Sequence, residues 1–233
     1  MNGAPTLTER LKTVFDMAPA AASAADIGCD HAQLAINLYV RGKAERVYAS
    51  DIRPGPLSSA RENIRRFGCE GAIETVLAPG LDGVIDAGVE VYIIAGMGGE
   101  TVAAILDAHK ARFTGRETFV LQPQSSVEDL RRYLYENGFL IEDERLAAEG
   151  ERIYCAMRAR FTGERRECEE VYYYIGKRLA ENGDPLLLRL IEKRTREHEK
   201  IRAGLIRSGQ RERAAEIERL TDAMKRLKKE IKK

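Results

Sequence analysis

Ala24-Ala25-Asp26-Ile27-Gly28-Cys29-Asp30-His31 is the stretch on which the fold turns. The small apolar residues from Ala18 to Ile27 read as a short strand ending on a carboxylate and a glycine, and Ala32-Gln33-Leu34-Ala35-Ile36-Asn37-Leu38 reads as a helix that follows at once. Open α/β sheets place ligands at such a bend, because the backbone N–H groups of the helix start converge on the carboxyl end of the strand. A dinucleotide fingerprint needs three glycines to seat a pyrophosphate, and this bend has one. The expected ligand therefore lacks a pyrophosphate.

Ahead of this stretch, residues 6–15 pattern as a short amphipathic helix, with Leu7, Leu11, Val14 and Phe15 on one face and Arg10 off it. Thr6 or Thr8 is its expected cap. Arg46 to Asp51 reads as a second strand that ends in another carboxylate, 23 residues beyond Gly28. That spacing suits an acceptor for ribose hydroxyls. A plain turn role before Pro54-Gly55-Pro56 suits Asp51 equally. A helix over 57–67, a strand over 72–77 and the loop 78–83 lead to an apolar strand, Val89 to Ala95, that ends in Gly96-Met97-Gly98-Gly99. Three glycines in four residues remove side chains, so that a flat ligand can meet the backbone. Next come a helix over 100–110, a strand over 118–121 with Gln122-Pro123-Gln124, and a helix over 127–137 capped by Ser125 or Ser126 and closed by Gly138. Strands over 140–147 and 153–161 stand too close in sequence for a crossover, which makes them an antiparallel pair. The expected first domain, residues 1–161, is a seven-stranded α/β sheet.

From Glu164 the pattern becomes continuous helix. Leu187, Ile191, Arg194, His198, Ile201 and Leu205 alternate in steps of four and three, and Ile217, Leu220, Met224, Leu227 and Ile231 repeat the rhythm beyond Ser208-Gly209. The expected second domain, residues 162–233, is thus an antiparallel helical hairpin of coiled-coil type. His198 reads as a polar residue at the edge of that seam rather than a ligand. Charge divides along the same line: 18 basic against 23 acidic residues up to Arg160, and 20 against 14 beyond it. A basic tail suits an anionic partner, although solvated helix faces are also rich in Lys and Arg.

Four cysteines, Cys29, Cys69, Cys155 and Cys168, show neither CxxC spacing nor clustering with the three histidines. No metal site is expected, and reduced thiols are. Without a run of about 18 apolar residues, and without a charged start followed by an apolar stretch, no membrane partner and a cytoplasmic location are expected.

Asp26-Ile27-Gly28-Cys29-Asp30-His31-Ala32, the Ile94-Ala95-Gly96-Met97-Gly98-Gly99 loop, Gln122-Pro123, and Glu149 through Ile153-Tyr154 ahead of a helical hairpin together resemble the bacterial tRNA (adenine-22, N1) methyltransferase family, also called TrmK. The resemblance implies a class I, Rossmann-like methyltransferase fold, S-adenosyl-L-methionine as cofactor and tRNA as substrate. It implies Asp26, Gly28 and His31 around the donor's methionine part, Asp51 at its ribose, and Ala95-Gly96-Met97 beside the reaction centre. Cys29, Ile52 and Leu81 complete the expected donor site. Arg10, Gly98, Gln122 and Gln124, with Arg189, Lys193, Arg194, Arg196 and Lys200 of the hairpin, are the expected tRNA contacts. Two positions depart from the family: Ala78-Pro79-Gly80-Leu81 stands where Gly-Asp-Gly-Leu is usual, and Gln124 where Asn is usual. Asp82 is the nearest carboxylate left to anchor the donor's adenine.

Methyl transfer to adenine N1 leaves positive charge on the ring, so a carboxylate near the exocyclic amine serves the reaction. Asp30, directly after the bend, is the expected catalytic residue, with a helix N-cap as its alternative or additional role. The adenine must be unpaired or extruded to expose N1, with Met97, or less favourably Tyr92, packing against it. A monomer is expected and a dimer left open. Two other functions remain open on sequence: methylation of a small molecule or protein with the hairpin serving dimerisation, and a catalytically silent RNA-binding protein on the same fold.

Overall fold

In the computed structural model, which describes residues 3–231, helix α1 (Glu9–Met17) comes first, and Thr8 Oγ1 caps it by accepting from Leu11 N–H at 3.4 Å. Strand β1 (Ala21–Ile27), helix α2 (Gln33–Val40), strand β2 (Ala44–Asp51), helix α3 (Pro54–Arg66) and strand β3 (Ile73–Leu77) form the first half of an α/β unit. Strand β4 (Val91–Met97), helix α4 (Gly99–His109), strand β5 (Thr118–Pro123), helix α5 (Val127–Glu136) and the hairpin of β6 (Phe139–Glu149) and β7 (Arg152–Phe161) form the second. The expected seven strands are present, in the order β3-β2-β1-β4-β5-β7-β6. The first five are parallel, and β7 is antiparallel to both β5 and β6.

The buried apolar residues explain the layering. Val47, Leu57, Ile64 and Ile73 join Leu34, Leu38, Val14 and Phe15 in one core cluster. Phe113, Phe119, Phe139 and Phe161 form an edge-to-face aromatic group with centroids 4.7–6.0 Å apart. Tyr92 is buried and stacks on Phe119 at 5.6 Å, so it belongs to the core rather than to a base-binding surface.

Strand order reverses at β1. Its neighbours are β2 on one side and β4 on the other, in the register Asp26↔Ala49 and Asp26↔Ile93. The segments leaving β1 and β4 therefore run apart and leave a crevice at the carboxyl ends of the strands.

The chain divides into two compact units between Arg166 and Glu167. The second holds two short helices, α6 (Glu170–Ile175) and α7 (Lys177–Asn182), and two long ones, α8 (Leu187–Arg207) and α9 (Arg211–Ile231). Residues 1, 2, 232 and 233 of the expected domain spans lie outside the described residues.

The expectation of continuous helix from Glu164 fails. Helix starts at Glu170 and breaks at Gly176 (φ 92°) and Gly183 (φ 65°), conformations that glycine adopts readily and a helix interior does not. The α8–α9 pair is antiparallel as expected, with its register marked by Arg202–Glu218, Lys225–Glu199 and Lys228–Glu192 ion pairs of 2.7–2.8 Å. Leu187, Ile191, Leu220, Met224 and Leu227 fill its buried side, whereas Ile201 is half exposed. His198 is buried, with Nδ1 2.8 Å from Arg194 O and its ring edge-on to Tyr174, as a polar core residue would be.

Two expected caps are also corrected. Asp30 does not cap α2: Ala32 holds the N-cap position in a left-handed conformation, and no side chain caps it. Ser126 holds that position at α5 with φ 50° and makes no capping hydrogen bond.

Candidate active site

The bend after β1 is tightly constrained. Gly28 and Cys29 N–H both donate to Ser50 O, at 2.8 and 2.9 Å, which pins the bend to the end of β2. Asp30 (φ 48°) and Ala32 (φ 54°) lie in the left-handed region, where each non-glycine residue costs about 1–2 kcal/mol. Strain of this kind persists where surrounding structure imposes it, typically at ligand sites. On the β4 side, a Cβ on Gly28 would collide with the Met97 methyl, so the two corners are in contact.

The β4 loop uses its glycines in two ways. Gly96 (φ 88°) lines the cavity. Gly99 instead packs against Ser126 backbone, where a Cβ would collide, and its N–H donates to Ser125 O at 2.8 Å. Of the three glycines expected to clear space for a ligand, Gly96 lines the cavity, while Gly99 seats α4 against the β5–α5 loop.

A cavity of about 740 Å³ opens above these corners. Two buried carboxylates line it. Asp26, 4% exposed, accepts from Ala35 N–H at 3.2 Å. Burial pushes its carboxyl up to about 7, the Ala35 hydrogen bond opposes that, and the charge of Asp51 adds to it. Asp51, 5% exposed, accepts from Arg53 N–H at 2.9 Å and Asp30 N–H at 3.4 Å, with Arg53 Nε 3.7 Å away. Asp51 thus makes the turn contact foreseen for it and still faces the cavity. Burial, with the charges of Asp26 and Asp51, raises the Cys29 thiol, which stays protonated and unreactive. Asp30 is largely exposed, with Oδ2 3.6 Å from His31 Nε2.

On the facing side Thr8, Arg10 and Leu11 line the cavity, and β5 and the β6–β7 hairpin hold Arg10 from behind. Arg10 Nη1 donates to Gln122 Oε1 at 2.7 Å, and its guanidinium lies over the Tyr154 ring at 5.7 Å. Arg10 N–H donates to Glu149 Oε1 at 3.0 Å, and this bond, with one from Thr8, holds the Glu149 carboxyl below its usual range. Gln122 is 1% exposed and its Nε2 donates to Pro123 O at 2.8 Å.

Of the residues expected at the site, Arg10, Asp26, Gly28, Cys29, Asp30, His31, Asp51, Ile52, Ala95, Gly96, Met97 and Gln124 line this one cavity. Leu81, Gly98 and Gln122 do not. Leu81 is fully buried in the core, Gly98 faces Ser125 Oγ, and Gln122 is spent on Arg10 and Pro123. Arg189, Lys193, Arg194, Arg196 and Lys200 lie on α8 in the second unit. Asp82 is turned to His109, 2.7 Å from its Nε2, and leaves Ala78, Pro79 and Gly80 to line the cavity. Sequence reasoning missed Thr8, Gln33, Arg53, Thr101 and Ile105. The signal for the first four was proximity to a strand end or a helix start, and Ile105, inside α4, carried none. Among the described residues no group of three or more His, Cys, Asp or Glu is placed to hold a metal ion, and no helix is long and apolar enough to cross a membrane.

A family model described as a methyltransferase domain matches residues 7–157. The chain belongs to this methyltransferase family. The tRNA (adenine(22)-N(1))-methyltransferase of Bacillus subtilis (strain 168) is 34% identical over 148 residues, 64% of this chain, and the chain spans 62% of that relative's length. The crystal structure of B. subtilis m1A22 tRNA methyltransferase TrmK matches at a TM-score of 0.81 and 28% identity, over 97% of this chain and 98% of that one. A putative tRNA (m1A22) methyltransferase from Streptococcus pneumoniae, in complex with S-adenosyl-L-methionine, matches at 0.83 and 28% over 95% and 99%. The resemblance drawn from the motifs and the seven-stranded fold with its C-terminal helical pair are both borne out.

The folded Asp26 carboxyl titrates above an unfolded one. Its contribution to stability is therefore complete below about pH 4 and is lost as pH rises through about 7. Asp26→Asn should give a flatter dependence of Tm on pH across that window than the parent shows, measured by thermal melts without ligand. Parallel curves would mean that the buried carboxyl does not titrate there.

Proposed function

We propose that the chain transfers a methyl group from S-adenosyl-L-methionine to N1 of adenine 22 in tRNA, with residues 1–161 as the methyltransferase domain and 162–233 as a basic tRNA-binding hairpin. The observation that carries this reading is the meeting of the strained bend at 28–32 and the loop at 95–97 on one cavity with two buried carboxylates. The names of the relatives support the same reaction.

The residues present fit this donor. Asp26 and Asp51 supply buried negative charge for a ligand with cationic centres and a ribose diol, and Ile52, 64% exposed, offers an apolar face at the same cavity. When bound, S-adenosyl-L-methionine supplies a methyl already activated on a sulfonium, so orientation is the main task left to the protein. Asp51 accepts from the ribose hydroxyls through the lone pairs that Arg53 and Asp30 N–H leave open. Asp26, Gly28, Cys29 and His31 surround the methionine part. Ala95, Gly96 and Met97 position the acceptor base, and Asp30 holds the exocyclic amine and takes its proton.

Arg10, pinned by Gln122 and Tyr154, keeps a guanidinium at the acceptor end for a phosphate of the target nucleotide. Gly98 and Gln122 serve from behind the wall. Arg189, Lys193, Arg194, Arg196 and Lys200 neutralise phosphates farther along the RNA. On this reading the protein works in the cytoplasm as a monomer of 26.1 kDa, which sedimentation equilibrium reads directly.

The deciding experiment incubates the protein with labelled donor and tRNA and maps the product nucleotide by mass spectrometry. 1-Methyladenosine at position 22 is expected, and label on another nucleotide, or on protein alone, would overturn the assignment. Asp30→Asn should lower kcat about a hundredfold while donor affinity, by calorimetry, is unchanged. An unaltered kcat removes Asp30 from the chemistry. Replacing Lys193, Arg196 and Lys200 together by Ala should weaken tRNA binding and reduce the slope of log K against log salt by about 2. An unchanged slope would take these cations off the RNA.

A further inference from the structure

The Gln124 side chain holds the open amide at the acceptor end of the cavity. Its backbone N–H donates to Met97 O at 2.8 Å, which ties the loop after β5 to the end of β4. Its Nε2 lies 3.6 Å from the point a Gly96 Cβ would occupy, and Arg10 Nη1 lies 3.9 Å from the same point. Gly96 has no side chain there, so its backbone presents an open face beside the Gln124 amide, on which a flat ring can lie with its edge toward that amide. The neighbouring Gln122 amide is fully committed, its oxygen to Arg10 and its nitrogen to Pro123 O. No hydrogen bond occupies the Gln124 amide among the described residues.

This step rests on the reading that adenine N1 is the acceptor. With N1 turned to the donor, the edge of the base left for recognition carries N6 and N7. A carboxamide matches that edge, because its oxygen accepts from N6–H while its nitrogen donates to N7. We propose that Gln124 reads the target adenine through this bidentate pair, with the base seated over Gly96, and so selects adenine over guanine. Guanine presents O6 where adenine presents N6–H, which sets two acceptors against each other and leaves the amide oxygen unpaired. The pair also favours the reaction itself. As N1 gains its methyl, positive charge spreads through C6 onto the amine, so the bond from N6–H to Oε1 strengthens on the way to the transition state and raises kcat. Arg10, a cation, stabilises no such ring charge and is left for phosphate.

The test uses full-length protein and tRNA ligated from fragments that carry 7-deazaadenosine at the target, which replaces N7 by CH. The parent should lose about tenfold in kcat/KM on this RNA. Gln124→Leu should lose about tenfold on unmodified RNA, mainly in kcat, and nothing further on the 7-deaza RNA. Gln124→Glu keeps an acceptor for N6 but sets a second acceptor against N7, so it should lose nothing when N7 is replaced by CH. Calorimetric donor affinity should match the parent in both variants. If Gln124→Leu disturbs donor binding, Gln124→Glu against the parent carries the same N7 comparison. A parent that ignores the missing N7, or variant and 7-deaza losses that multiply, would overturn the assignment. Absence of any methylated tRNA from the parent would instead overturn the underlying reaction.

Discussion

Parallel pairing of β1 with β4, across the point where the order of strands reverses, is the constraint from which the cavity follows. The register sets Ile27 beside Ile94, so the segments leaving the two strands emerge side by side. Each then diverges to its own helix, and no backbone closes the space above them. Had β4 been placed at the sheet edge, Gly28 and Met97 would stand several strands apart. The bend at 28–32 would then be a strained turn without a ligand to justify its cost.

That geometry gathers charge as well as space. Asp26 and Asp51 end adjacent strands and are both nearly buried, an arrangement water would ordinarily oppose. The protein meets the cost by different means at each. Asp51 is surrounded by N–H donors and a guanidinium, while Asp26 has a single donor and relieves the strain by binding a proton near neutrality. A cation held beside Asp26 would take the place of that proton. The opposite wall is built on other terms. Arg10 is locked by a buried amide and an aromatic face, and nearby Gln124 keeps its amide open.

Much of this was legible in the chain itself, for identifiable reasons. Strand ends showed in Asp26 and Asp51 because an acidic residue after an apolar run has few other uses, and the tail showed its hairpin because heptad spacing survives without tertiary help. The failures share a cause. Asp82, Leu81 and Gly98 sit in loops, where one torsion decides between ligand and core, and the orientation was set by His109, the hydrophobic interior and Ser125 respectively. Ser126 and Asp30 are residue types that favour capping, yet both adopt left-handed backbone at strained bends and neither side chain accepts a capping hydrogen bond. Gly176 and Gly183 break a segment whose side chains read as continuous helix, because glycine's backbone freedom outweighed the apolar spacing around it.

Local sequence alone determined the alternation of strands and helices, the antiparallel β6–β7 pair, the two long helices of the tail and the residue types available at each strand end. Periodicity and turn chemistry act over a few residues and need no distant partner. The tertiary structure decided which ends meet: that the corner after Asp26 faces the corner after Ala95, that Arg10 from the first helix reaches Gln122, and that Gln124 rather than Gln122 keeps an open amide. Those outcomes depend on strand order and on competition for buried hydrogen-bond partners, which couple residues far apart in the chain, 112 positions for Arg10 and Gln122, and leave no trace in any short window of sequence.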